Sequence, residues 1–198
     1  MEKRIDFRIL QKSPDFKLPK PALEQYSTPP DIVIEIVKRA YSLGHLDGNV
    51  ADLGCGTGRL AIGAALTGAE VTGYEIDQEA LDSAKNYSNI HNLNITWINS
   101  AIENIDENYD TVLMNPPFGS QVAGADRSFL QKALKIAQNI WSIHIGHTKK
   151  FIENFVEKNN GVVVSAYEFN FAIRKSMPFH TKESKNEKAI LYHIASLQ

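Results

Sequence analysis

Cysteine is almost absent from this sequence, and the single Cys55 excludes a disulfide framework and a zinc site built from several thiolates. Charge of one sign is also missing. The net charge is −2 and the isoelectric point is near 6.3, so no overall positive field favours nucleic acid, although a local basic patch is compatible with that total. No apolar run reaches the roughly 20 residues of a membrane span, and no signal-peptide core follows the first methionine. We therefore expect a cytoplasmic protein without membrane contact, with residues 1–198 forming one domain.

Strand-like and helix-like patterns alternate along the chain. Short apolar runs predict seven strands, at residues 50–53, 70–76, 95–98, 109–114, 140–145, 161–171 and 189–195. Apolar residues at helical spacing predict helices at 31–44, 60–67, 78–93, 126–137 and 148–158, with Asp31 and Asp126 as amino-terminal caps. This order predicts an α/β fold with a doubly wound, mostly parallel sheet, whose last two strands form an antiparallel edge. Residues 1–30 are polar and rich in proline, so they are predicted to form an arm outside the sheet.

A glycine-rich loop follows the first predicted strand, in the sequence Asp52-Leu53-Gly54-Cys55-Gly56-Thr57-Gly58. Its spacing differs from the G-x-G-x-x-G of dinucleotide folds, and no lysine follows it as in a P-loop. Glu75 ends the second strand, where this architecture places an acid against two ribose hydroxyls. A tight turn and a solvated acid are the alternative, but the combination of Asp52, Glu75 and the element order favours a nucleotide-like cofactor. We interpret Cys55 as a small buried side chain rather than a nucleophile.

The fourth predicted strand runs into Asn115-Pro116-Pro117-Phe118. Two prolines end a strand rigidly, because both backbone donors are missing and both φ angles are fixed. In a doubly wound sheet this strand lies beside the first, so Asn115 is expected to face the same crevice as Gly54. The side-chain oxygen of Asn115 and the carbonyl of Pro116 can accept both N–H bonds of a planar amine, while Phe118 stacks on its ring. Simple strand termination, with Phe118 in the core, is the alternative.

These motifs resemble the S-adenosylmethionine-dependent amino methyltransferases with a Rossmann-like, class I core. The segment Pro21-Ala22-Leu23-Glu24-Gln25-Tyr26-Ser27-Thr28, the MNPPFGS sequence and the late Pro178-Phe179-His180 are similar to the methyltransferase-like protein 5 family. That family comprises ribosomal-RNA adenine-N6 methyltransferases of eukaryotes and archaea. The resemblance implies methyl transfer from S-adenosylmethionine to adenine N6 in structured RNA, with small-subunit rRNA as the expected substrate and the base flipped into the site.

The resemblance also implies a role for each matching residue. Gln25, Tyr26 and Thr28 of the arm would close over the cofactor. Further cofactor contacts are expected from Asp52, Gly54, Cys55, Gly56, Thr57, Glu75, Ile76, Ala101, Ile102 and Asn115. Asn115, Pro116, Pro117 and Phe118 would be catalytic, with Phe118, Phe179 and His180 near the incoming base. No metal is expected, since His180 has no second ligand at a workable spacing. One departure is Ser100-Ala101-Ile102, where the family often has an acid beside the adenine amine of the cofactor.

Two partners follow from the resemblance. RNA would contact basic residues, and the candidates are Arg127, Lys149, Lys150, Arg174, Lys175, Lys182, Lys185 and Lys188. A small zinc-binding activator protein would add a strand to the edge at Ile95-Thr96-Trp97-Ile98, for which an ordinary edge strand is the alternative. Three other functions stay open: a protein glutamine-N5 methyltransferase, because an amide presents the same NH₂ group; a DNA adenine methylase; and a cofactor-binding scaffold without catalysis.

Overall fold

The computed structural model describes residues 5–118, 124–174 and 184–198. Within these ranges the chain forms one seven-stranded sheet flanked by six α-helices. The strands are β1 (Asn49–Leu53), β2 (Glu70–Glu75), β3 (Ile95–Asn99), β4 (Tyr109–Met114), β5 (Ala137–Ile145), β6 (Gly161–Arg174) and β7 (Ser184–Ser196). The helices are α1 (Arg8–Gln11), α2 (Pro30–Ser42), α3 (Arg59–Ala65), α4 (Gln78–Ile90), α5 (Ala125–Ile136) and α6 (Lys149–Lys158). Short 3₁₀ turns lie at Pro21–Leu23, Ile102–Asn104 and Gly146–Thr148.

The strand order is β3-β2-β1-β4-β5-β7-β6. Strands β1 to β5 pair in parallel, and β7 lies antiparallel between β5 and β6. The predicted doubly wound sheet with an antiparallel edge is confirmed. Because β1 pairs with both β2 and β4, the chain order reverses beside it and opens a crevice at the carboxyl ends of these strands. Leu53 pairs with Met114, so the glycine loop and Asn115 leave the sheet at the same level.

Apolar side chains of the helices cover both faces of the sheet. On one face, Val33, Ile36 and Val37 stand at positions i, i+3 and i+4 of α2 and face the sheet together with α1 and α3. The opposite face is covered by buried residues of α5 and α6, which are Leu130, Leu134, Ile152 and Val156. Each such side chain contributes about 1.5–3 kcal/mol by leaving water. This packing holds the sheet in place, including the carboxyl ends of β1, β2 and β4 that form the candidate site.

The helix starts differ from those predicted. Asp31 and Asp126 are not caps: α2 and α5 are capped by Pro29 and Gly124, and both aspartates lie in the first helical turn. Pro30 has a φ already suited to the first helical position, and Gly124 enters α5 with φ at +86°, where glycine is favoured. Acids in the first turn still interact favourably with the helix dipole.

The arm, residues 1–30 of the sequence, contributes no strand in its described part. It carries α1 and the first 3₁₀ turn, and it reaches Pro30 at the start of α2. Among the helices of the described residues, none has the length and apolar character that a membrane span requires.

Candidate active site

Two adjoining cavities lie at the carboxyl ends of β1, β2 and β4. The larger has a volume of about 400 Å³ and the smaller about 30 Å³. Both are lined by Phe16, Tyr26, Gly54, Gly56 and Asn115. The larger is also lined by Gln25, Glu75, Ile76, Ala101 and Ile102, and the smaller by Thr28, Asp52, Cys55 and Thr57. Every residue predicted to contact the cofactor therefore borders one of the two cavities, although the role of each stays a prediction.

The glycine loop needs its glycines for two reasons. Gly54 and Gly56 have φ angles of +65° and +56°, a region that side chains rarely tolerate. A Cβ atom on Gly54 would lie 2.9 Å from Cε1 of Phe129, and one on Gly56 would lie 2.6 Å from Cζ of Phe16. The loop therefore exposes bare main chain to the cavities, between two aromatic rings.

Glu75 ends β2 and points its carboxylate back to the glycine loop. Its Oε2 accepts a hydrogen bond from the Gly56 N–H at 2.8 Å, and its Oε1 accepts one from the Asp77 N–H at 2.9 Å. Burial raises the pKa of Glu75, and the backbone donors offset part of that rise. A carboxylate has about four acceptor positions, so two remain for a ligand that donates hydroxyl protons.

Asp52 is the second buried acid of the site. Its Oδ2 accepts a hydrogen bond from the Ala61 N–H at 2.8 Å, whereas its Oδ1 is buried without a hydrogen-bond partner. Burial raises the pKa of Asp52 to about 7. A cationic ligand group in the smaller cavity would both satisfy Oδ1 and favour the ionised carboxylate.

The amino-terminal arm is tied to the glycine loop and to α4 by polar contacts. Nζ of Lys20 and Nε2 of Gln25 each donate to the Asp77 carboxylate at 2.6 Å. Burial by itself would raise the pKa of Asp77, but the hydrogen bonds from Lys20 and Gln25 outweigh it and the pKa lies below its usual value. The Thr57 hydroxyl donates to the Pro14 carbonyl at 2.9 Å. These contacts hold the arm against the crevice, while its closure over a cofactor stays a prediction.

The turn formed by residues 115–118 lies directly under the arm. Nδ2 of Asn115 donates to Oγ1 of Thr28 at 3.0 Å, and Oδ1 of Asn115 is buried without a partner. The Tyr26 hydroxyl donates to the Pro116 carbonyl at 3.4 Å, and the rings of Tyr26 and Phe118 are stacked with centres 5.1 Å apart. Pro117 lines the larger cavity. The structure thus brings Asn115 and Pro117 to the crevice. Pro116 and Phe118 are not among the residues that line either cavity, and Phe118 packs against Tyr26 and the apolar core.

The remaining predicted residues have mixed outcomes. Cys55 is buried, and burial raises the pKa of its thiol well above the usual value, which agrees with a filler rather than a nucleophile. Ile76 is 58% exposed at the rim of the larger cavity. Phe179 and His180 lie outside the described residues, as do Lys175 and Lys182.

Sequence reasoning missed several residues that border the cavities. Phe16 and Phe129 flank the glycine loop. In the sequence, the helical spacing of Phe129 indicates only a core residue of α5. Glu24 accepts a hydrogen bond from the Phe118 N–H at 2.9 Å. Glu103 lines the larger cavity, so an acid does border it, three positions beyond Ser100. That acid is visible in the sequence, but its direction depends on the 3₁₀ turn at Ile102–Asn104.

Other parts of the described chain offer weaker sites. An open cleft of about 690 Å³ lies at the amino ends of β1, β2 and β4, and another of about 630 Å³ lies along α5. Among the described residues, the buried side-chain atoms without a hydrogen-bond partner are Oδ1 of Asp52, Oδ1 of Asn115 and the Tyr192 hydroxyl. Two of these three atoms belong to the crevice. Over the same described ranges, no group of three or more metal-ligating side chains is found.

Comparison with known proteins agrees with this geometry. Residues 31–144 match the methyltransferase small domain family. The chain belongs to that family. It is 35% identical to the rRNA N(6)-adenosine-methyltransferase Mettl5 of Drosophila melanogaster, over 89% of this chain and 88% of the relative. Membership of the methyltransferase-like protein 5 family is confirmed by this likeness.

Solved structures show the same fold. A candidate RNA methyltransferase from Pyrococcus horikoshii, PH1948, superposes with a TM-score of 0.90 and 37% identity, covering 97% of this chain and 96% of that one. Magnesium protoporphyrin IX methyltransferase from Synechocystis, solved with bound S-adenosylmethionine, shares the fold with a TM-score of 0.67 at 19% identity, covering 84% and 79%. The solved structures confirm the predicted Rossmann-like fold, and the family match confirms a methyltransferase. The S-adenosylmethionine bound to the Synechocystis enzyme agrees with the predicted methyl donor.

Proposed function

We propose that this protein transfers the methyl group of S-adenosylmethionine to N6 of an adenine in ribosomal RNA. The observation that carries the proposal is Oδ1 of Asn115, which is buried without a partner at the end of β4, in a residue that borders both cavities. A buried acceptor left unpaired costs about 1–3 kcal/mol, and an incoming amine N–H would recover that cost. The identity with a relative named as an rRNA N6-adenosine methyltransferase supports adenine in rRNA as the substrate.

Residues on three strand ends suit the cofactor. The two remaining acceptor positions of Glu75 fit the ribose hydroxyls, and Oδ1 of Asp52 fits the ammonium group of the methionine part. The adenine of the cofactor would lie against Ile76 and the 3₁₀ turn at Ile102–Asn104, with Glu103 available to its amine. When bound, S-adenosylmethionine supplies a methyl group that its sulfonium makes electrophilic.

The turn at residues 115–118 would act on the target amine. An amine conjugated to a ring delocalises its lone pair, and two accepted hydrogen bonds draw that pair back onto nitrogen. Oδ1 of Asn115 and the second lone pair of the Pro116 carbonyl are the two acceptors, and the prolines keep them rigid. Phe118 would stack on the base. Methylation leaves the nitrogen positively charged and acidic, so its proton passes to water without a general base.

Cations and an exposed ring surround the start of α6. This helix begins shortly after the carboxyl end of β5, on the same side of the sheet as the crevice. The guanidinium carbon of Arg127 lies 5.2 Å from the ring centre of Phe151, which is 40% exposed. Lys149 and Lys150 are exposed in the first turn of α6, and Lys149 lies 3.8 Å from Glu168. Helix stability does not explain these lysines, because the positive end of the dipole disfavours cations. Cations beside a stacking ring suit the single-stranded RNA that flanks a flipped adenine.

We extend the proposal to small-subunit rRNA and to a small zinc-binding activator at β3. In the described part of the chain β3 pairs only with β2, which leaves its outer backbone edge open to strand addition. The indole N–H of Trp97 donates to Oγ of Ser88 at 3.1 Å, so this side chain serves the domain's own packing and a partner would use the backbone. The cytoplasm is the proposed compartment.

The test offers the protein four substrates in parallel. The wild-type protein and Asn115→Ala are incubated with methyl-labelled cofactor and with rRNA, tRNA, DNA or a release factor, each with and without a zinc-binding activator. We expect label in rRNA with the wild-type protein but not with Asn115→Ala. Nuclease digestion should release this label as N6-methyladenosine.

Each other outcome selects a different function. Label in the release factor would assign the glutamine-N5 alternative, and label in DNA would assign a DNA adenine methylase. Cofactor binding without label in any substrate, in either the presence or the absence of the activator, would overturn the proposal in favour of a scaffold.

A further inference from the structure

Three arm residues at alternate positions contact three residues of the catalytic turn. Glu24 accepts from the Phe118 N–H at 2.9 Å, Tyr26 donates to the Pro116 carbonyl at 3.4 Å, and Thr28 accepts from Nδ2 of Asn115 at 3.0 Å. The family resemblance implies that Tyr26 and Thr28 close over the cofactor. Both residues border a cavity, but their side-chain contacts run to the turn that would hold the target amine.

We propose that Thr28 is a positioning residue that sets the orientation of the Asn115 amide, assisted by Glu24, which holds the backbone of Phe118. This inference rests on the proposed role of Asn115 as an acceptor for the target amine. It assigns the arm to methyl transfer itself, in addition to cofactor closure.

The reason lies in the two ends of the amide. An asparagine side chain carries two donors on nitrogen and an acceptor on oxygen, and rotation by 180° exchanges them. With Nδ2 donating to Thr28, the oxygen is the end left without a partner. In the rotated state the NH₂ group would meet the amine of the substrate, and two donors would face each other without an acceptor.

Thr28 is itself firmly held. It is 5% exposed, and its carbonyl accepts from Nη1 of Arg59 at 3.1 Å. Nε of Arg59 donates in turn to Oγ of Ser13 at 2.8 Å, which ties this part of the arm to the start of α3. The main chain of Thr28 is therefore anchored through Arg59 both to the start of α3 and to Ser13 of the arm.

Two substitutions at Thr28 separate the hydroxyl from the shape of the side chain. Thr28→Val keeps the branched shape and removes the hydroxyl, whereas Thr28→Ser keeps the hydroxyl. We expect kcat of Thr28→Val to fall on the order of 10- to 100-fold, because a misdirected group forfeits near-attack geometry. The KM for RNA should stay within about twofold, the Kd for the cofactor should change much less than kcat, and Thr28→Ser should restore most of kcat.

Thr111→Val is the matched control. Thr111 is a buried threonine in the first half of β4, and its hydroxyl donates to the His45 carbonyl at 2.6 Å. Its loss should lower the melting temperature and leave kcat unchanged. If Thr28→Val does not fold, Thr28→Ala replaces it in the same comparison.

Nuclear magnetic resonance supplies a readout that does not depend on activity. The side-chain amide signal of Asn115 is identified by its disappearance in Asn115→Ala. In the wild-type protein one Nδ2 proton should exchange slowly with water, and Thr28→Val should remove that protection. Unchanged exchange together with wild-type kcat in Thr28→Val would overturn the inference.

The two proposals fail in different ways. If Asn115→Ala turns over like the wild type, the proposed role of Asn115 is wrong and this inference falls with it. If Asn115→Ala is inactive while Thr28→Val is normal, only the positioning role of Thr28 is wrong.

Discussion

The two ends of the crevice are held in different ways. At the cofactor end, both oxygens of Glu75 accept hydrogen bonds from backbone N–H groups, those of Gly56 and Asp77. At the amine end, the Asn115 side chain meets one hydroxyl, that of Thr28, from an arm 87 positions away in the chain. One end is organised by main chain near the strands, and the other by side chains of a distant segment.

This difference separates binding from turnover. Backbone donors are in place once β1 and β2 pair, so the cofactor end is preorganised by the sheet itself. The amine end is complete only when the arm docks. Changes at Glu75 should therefore act on cofactor affinity, and changes at the turn should act on kcat.

The largest effect is expected at the amine end. Asn115→Ala removes the acceptor that the transition state needs, and losing one preorganised hydrogen bond of this kind costs on the order of 10²–10³ in kcat. Single-turnover methyl transfer to rRNA measures the loss, and calorimetry should show a nearly unchanged Kd for the cofactor. Transfer at the wild-type rate would remove Asn115 from the mechanism.

Glu75→Gln should weaken cofactor binding at the cofactor end of the crevice. The amide that replaces the carboxylate brings a donor against one of two backbone N–H groups, so affinity for the cofactor should fall about 10- to 100-fold, as for hydrogen bonds to a charged group. The control is Glu70→Gln, at the exposed first residue of the same strand. Equal affinity in both variants would exclude Glu75 from the ribose site.

A pH effect should also distinguish the two ends. The pKa of Asp52 is about 7 because the group is buried, so the cofactor-free protein keeps this proton up to that pH. If the ammonium group binds the ionised carboxylate, affinity should fall about tenfold per pH unit below 7 and level off above it. Calorimetry across this range measures the slope.

Asp52→Asn checks the assignment. It should flatten the slope and weaken binding at high pH. The raised pKa also means that the stability of the cofactor-free protein decreases as pH rises from the ordinary carboxyl range to about 7, and Asp52→Asn should abolish that decrease. A slope that persists in Asp52→Asn would assign it to another group, such as Glu75.

The smallest effect is expected at the start of α6. Lys150→Glu should raise the KM for RNA about 3- to 10-fold by losing a phosphate contact. The same change should raise the melting temperature slightly, because an acid suits the first turn of α6. Lys158→Glu, at the last residue of α6, should instead lower the melting temperature and leave the KM for RNA unchanged. Equal KM values in the two variants would contradict an RNA surface at the start of α6.

Much of this site was predictable because its parts are local. Gly54 and Gly56 mark a loop with positive φ, and Glu75 ends a strand that pairs beside β1. The place of Asn115 follows from the parallel order alone, since β4 must lie next to β1 across the switch point. Boundaries were less accessible: the aspartate caps were wrong because Pro30 and Gly124 suit the helix starts better.

By itself, the sequence determined the order of elements, the bare loop and the rigid turn, because glycine, proline and apolar spacing act on neighbouring residues. Only the tertiary structure decided that Thr28 meets the amide of Asn115, that Phe16 covers Gly56 and that Glu103 reaches the cavity. These contacts join segments far apart in the chain, and their geometry exists only after the arm has packed on the sheet.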